Sequence, residues 1–86
     1  MAATDKIDHL ETMREAVSIL RGENSAWKGD RINNVEFFLS QIARTLPEAS
    51  AKCAADLQAN VSGYSEELGI SPDRVRWCAN RLQGRP

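Results

Sequence analysis

The stretch DRINNVEFFLSQIARTL, residues 30–46, sets Ile32, Val35, Leu39, Ile42 and Leu46 three, four, three and four positions apart. That is the spacing of one apolar stripe on an α-helix. Asp30 stands directly before it, where a carboxylate can accept the free backbone N–H groups of the first turn. Two heptads are too few for a coiled coil, so this helix is expected to pair with a neighbour in the same chain.

Working toward the N-terminus, Ile7, Leu10, Met13, Val17 and Leu20 make a second stripe, predicting a helix from about Asp5 to Arg21. Gly22 supplies its stop. Residues 22–30, GENSAWKGD, read as a connection, with Ser25 as an alternative earlier cap.

Working toward the C-terminus, Thr45-Leu46-Pro47-Glu48 has the spacing of a capping box and predicts a third helix running to about Asn60. Its inward face would be Cys53, Leu57 and Val61 flanked by alanines. Ser62-Gly63 is expected to interrupt it. A short segment with Tyr64 and Leu68, a break at Gly69, and a last helix follow; that helix opens with Ser71 as N-cap and Pro72 in the first turn, and buries Val75, Cys78, Ala79 and Leu82. No stretch alternates with period two. The expected fold is all-α, a single domain over residues 1–86 with about five helices: a helical hairpin over 1–46 packed on a trihelical unit over 47–86.

Composition narrows the function. With 86 residues, 42% of them hydrophobic but eleven of these alanine, the core must rest on a few larger side chains. Charge at nearly every third position of MAATDKIDHL excludes a signal-peptide reading there, and no apolar run suits a membrane span, so a cytoplasmic protein is expected. Cys53 and Cys78 lack metal-ligand spacing and read as buried free thiols; the single histidine, His9, has no catalytic partner in sequence and reads as solvated or helix-pairing. No metal, cofactor or phosphate-loop motif is present, which points away from an enzyme. The net charge of −1 is uneven: residues 72–86 carry +3 and residues 1–71 carry −4. Contact with nucleic acid would therefore fall to the C-terminal end.

Residues 61–82, VSGYSEELGISPDRVRWCANRL, resemble the helix-turn-helix of bacterial DNA-binding regulators. Tyr64 and Leu68 match the apolar sites of the first helix, Ser65 the small residue where the helices cross, Gly69 the turn, Ile70 the apolar residue after it, and Val75 with Cys78 the buried face of the second helix. The resemblance implies a DNA-binding regulator in which Ser71, Asp73, Arg74, Arg76, Trp77 and Asn80 face the major groove, with Arg81 beside them. Arg76 could read guanine and Asn80 adenine. A dimer through the first two helices would supply two half-sites.

Two aromatic residues lie off the stripes. Phe37 points about 170° from the mean direction of the second-helix stripe, and Trp77 nearly opposite Val75, Cys78 and Leu82. Either they are buried against further neighbours, or they anchor a partner, as exposed aromatics beside arginine often do. The latter supports a different function: a compact protein-binding inhibitor or adaptor, of the kind bacteria and their phages use to occlude a larger machine.

Overall fold

Asp8 caps the first helix of the computed structural model, which describes residues 7–84; its carboxylate accepts the Glu11 backbone N–H at 3.0 Å, and α1 runs His9–Leu20. The sequence places the start near Asp5, outside the described residues, but the extended backbone of Asp8 makes it the cap, so α1 opens later and Ile7 lies before the helix. At the other end Gly22 adopts φ +72°, its N–H reaching the Ile19 carbonyl while the Glu23 N–H reaches Ser18. This paired closure satisfies carbonyls that the helix end would otherwise leave open.

Helix α2 (Arg31–Thr45) starts as the sequence predicts, with Asp30 accepting the Asn33 N–H at 3.1 Å. The capping box at Thr45 does not form. Thr45 stays helical and its hydroxyl donates to the Gln41 carbonyl, so it ends α2 instead of opening α3. Leu46 alone makes the corner (φ −134°, ψ 65°), and α3 (Pro47–Ala59) begins without a side-chain cap. Asn60 is the next single-residue corner, and α4 (Val61–Leu68) follows it. Ser62 and Gly63 therefore lie in the first turn of α4 rather than interrupting α3. A Cβ on Gly63 would fall 2.5 Å from the Asn60 side-chain amide, which occupies that space.

Gly69, at φ +69°, turns the chain into α5 (Pro72–Leu82), and the Ser71 hydroxyl accepts the Arg74 N–H at 3.1 Å. The fold is all-α: five helices, with no strand among the described residues. α5 lies against α2, α3 and α4, while α1 covers α2 and touches α4. The core gathers Met13, Ile19, Val35, Leu39, Leu57, Val75 and Leu82, each at most 1% exposed. Cys53 and Cys78 are buried free thiols within it. The small residues of α3 admit α5 closely, and buried Ser50 donates its hydroxyl to the Leu82 carbonyl.

Two residues are buried differently from what the stripes predict. Ile32 is 40% exposed although it shares the α2 stripe, one residue into the helix from its start at Arg31. Ile19, off the α1 stripe, is 1% exposed.

The arginines of α1 bind it to α4. Arg21 donates to the carbonyls of Leu68 and Gly69, both at 3.2 Å, and so closes the end of α4 from outside. Arg14 pairs with Glu67 at 3.2 Å, both more than half exposed, a contact worth no more than about 1 kcal/mol.

Candidate binding site

Asp73, Arg76, Trp77 and Asn80 fall at i, i+3, i+4 and i+7 of α5 and share its outward face, opposite the buried Val75, Cys78, Ala79 and Leu82. Ser71 and Asp73 are exposed, as is Arg76; Arg74, Trp77, Asn80 and Arg81 are half-buried. The structure thus brings together every α5 residue that the sequence singles out.

Two of the three arginines on this face meet a carboxylate. Arg76 donates to Asp73 at 3.1 Å. The Arg74 guanidinium lies over the Trp77 ring, 5.0 Å from its centroid, and that of Arg81 lies at 5.3 Å. Arg81 also pairs with Glu36 of α2 at 2.9 Å, its side chain only 18% exposed, while its Nε is buried without a hydrogen-bond partner. Trp77 rests partly on the core and is braced from outside by two cations. A braced aromatic offers contact area at little entropic cost.

Phe37 stands on a separate surface, the outer face of α2. It is 52% exposed and tilts against Trp27, the ring centroids 6.1 Å apart; Phe38 meets the same tryptophan edge-on at 6.3 Å. Trp27 folds back from the α1–α2 connection to support both. No family model, curated protein or solved structure matches this chain.

Two features of the surface escaped the sequence. Glu36 is the partner of Arg81 across 45 positions, which no local pattern announces. The other is a polar knot joining α1, α3 and α4: Asp56 meets His9 Nδ1 at 2.9 Å and accepts the Tyr64 hydroxyl. His9 is thus a helix-pairing residue. The Tyr64 and His9 hydrogen bonds hold the Asp56 carboxyl below the usual value of 3.8, and burial with the neighbouring carboxylate raises Tyr64, which stays a donor. Burial likewise pushes the Cys53 and Cys78 thiols up to about 12, so neither is a nucleophile near neutral pH.

The Asp56 knot carries a pH prediction. A carboxylate whose folded pKa lies below its unfolded one contributes stability above the unfolded value and loses it as pH falls through the folded value. The extra thermal stability of wild type over Asp56→Asn should be full near pH 5 to 6 and shrink below about pH 4. Melting curves of the two proteins across that range decide it; a constant difference would mean that Asp56 acts through shape and not charge.

No group of three metal-ligating side chains occurs among the described residues, and no helix there is long and apolar enough to cross a membrane.

Proposed function

We propose that the protein is a non-enzymatic binding protein that acts by occlusion, covering part of a protein partner with the outward face of α5. The observation that carries this reading is the bracing of Trp77 by Arg74 and Arg81, with Arg81 and Arg76 already paired with Glu36 and Asp73. Polyanion binding draws its strength from basic side chains that displace counterions from phosphate. A face on which Arg76 and Arg81 each already meet a carboxylate has less of that to offer, while an aromatic rimmed by guanidinium groups is the composition of a protein-binding hot spot. This agrees with the inhibitor or adaptor reading of the sequence.

The DNA-reader proposal keeps one specific support. Ser71, Asp73 and Arg76 are exposed and Asn80 is half-exposed, at the spacing that a recognition helix presents to a major groove, and they follow a left-handed glycine turn. The two readings separate in one pair of experiments. Selection from a random duplex library at modest salt should enrich no motif if the partner is a protein. Enrichment of a short motif, with affinity falling steeply as salt rises, would instead establish the DNA reader and displace the occlusion proposal.

A further inference from the structure

Ile32 and Phe37 are the large hydrophobic side chains that remain exposed among the described residues, and Phe37 stands at the middle of an ordered pattern. Along the outer face of α2 run Asp30, Asn33, Phe37, Gln41 and Arg44, spaced three, four, four and three apart. All five fall within about 40° of the Phe37 direction. The spacing reads the same in both directions from Phe37: an amide stands four positions away on each side, and opposite charges stand seven positions away. Neither Asp30 nor Arg44 has an ion-pair partner among the described residues. One carboxylate oxygen of Asp30 caps α2, which leaves the other open, and Arg44 reaches only the neighbouring Gln41 side chain.

We propose that this face is covered by a second copy of the same chain, the two α2 helices lying antiparallel about a two-fold axis at Phe37. A two-fold contact uses one patch on both subunits, so the patch must complement itself when reversed. This one does. Phe37 meets the partner's Phe37 on the axis, Asn33 faces the partner's Gln41 as donor and acceptor, and Arg44 faces the partner's Asp30, each pair made twice. The span from Asp30 to Arg44 gives a seam about 21 Å long, closed at both ends by opposite charges. A parallel arrangement would set Asp30 on Asp30 and Arg44 on Arg44. An unrelated partner would impose no mirror order around Phe37. Trp27 of the same chain packs against the Phe37 ring, the two tilted at 59°. One helix pair is smaller than a standard interface, so the dimer is of modest affinity and depends on concentration and salt. This inference does not rest on the α5 reading, since it concerns a different helix face.

The test is sedimentation of the full chain from micromolar to about millimolar concentration. Wild type should pass from monomer to dimer, and Arg44→Glu, which sets two acidic groups against each other, should weaken association at least about tenfold. Phe37→Cys places one thiol on each side of the axis. Probed at about millimolar concentration, where the flanking Asn33, Gln41, Asp30 and Arg44 contacts still pair the helices, it should yield more covalent dimer on mild oxidation than Lys52→Cys, exposed on α3. The native thiols are buried and do not compete. Circular dichroism checks each variant's fold; if Arg44→Glu is unfolded, the comparison of Phe37→Cys with Lys52→Cys decides alone. A protein that stays monomeric to about 1 mM overturns the proposal. So does a dimer indifferent to Arg44→Glu, or one that crosslinks equally at both positions.

Discussion

Leu39→Ala is expected to cost about 2–5 kcal/mol and to leave much of the chain unfolded, since a small domain has only about 5–15 kcal/mol in total. Leu39 is 0% exposed on α2, the helix that α1, α3 and α5 all touch, so the cavity left by its truncation borders most of the core. Urea unfolding followed by helical circular dichroism measures it. Ile32→Ala, on the same stripe but 40% exposed, should change stability far less. A loss under about 0.5 kcal/mol at Leu39 would place it outside the cooperative core.

That contrast between two residues of one stripe shows what the sequence could and could not convey. Caps and stops were legible because their chemistry is local: Asp30, Gly22, Gly69 and Ser71 act on backbone groups within a few positions of themselves. The faces of α5 were legible because its buried residues repeat over three turns. Spacing gives the direction of a stripe but not how far along it a neighbour extends, so Ile32 was expected inside and Ile19 was passed over. The Thr45 box depended on a choice that the sequence leaves open. A threonine at a helix end can cap the helix ahead or close the one behind, and its hydroxyl bond to Gln41 takes the second course. Of the candidate site, the exposed positions were readable, but the contacts that hold Arg74 and Arg81 were not. Glu36 reaches Arg81, and the two arginines reach Trp77, through packing between helices and side-chain direction.

Trp77→Ala should reduce affinity for the protein partner by at least about 2 kcal/mol, roughly 30-fold, which removes it from an affinity capture. The truncation takes away the ring that Arg74 and Arg81 cover, and both guanidinium groups lose their support at once. Because Trp77 also rests on the core, some thermal stability goes with it, and a folded helical spectrum at the temperature of the assay is the necessary control. Arg76→Glu supplies the complementary measurement. Its side chain is 58% exposed and pairs only with Asp73, itself 97% exposed, so the change should leave the melting temperature in place while weakening capture. Undiminished capture by both folded variants would move the contact off α5.

The one-residue corners at Leu46 and Asn60 also govern how this chain can change in length. Each extra residue inserted at such a corner advances the following helix by about 100° of rotation relative to the one before. At Leu46 that would carry Cys53 and Leu57 out of the interior and bring Lys52 and Asp56 into their places. The three-residue turn at Gly69 is little freer, because the carbonyls on either side of it are held by Arg21 and Ser65. The segment from Glu23 to Gly29 is longer and largely exposed; it is tied down at Asn24 by Glu15, at Trp27 by Phe37 and Phe38, and at the Lys28 carbonyl by Asn34, which leaves Ser25 and Ala26 as its exposed middle. Natural length variants of this fold should therefore differ between Asn24 and Trp27, and an inserted tag or fluorophore site belongs there.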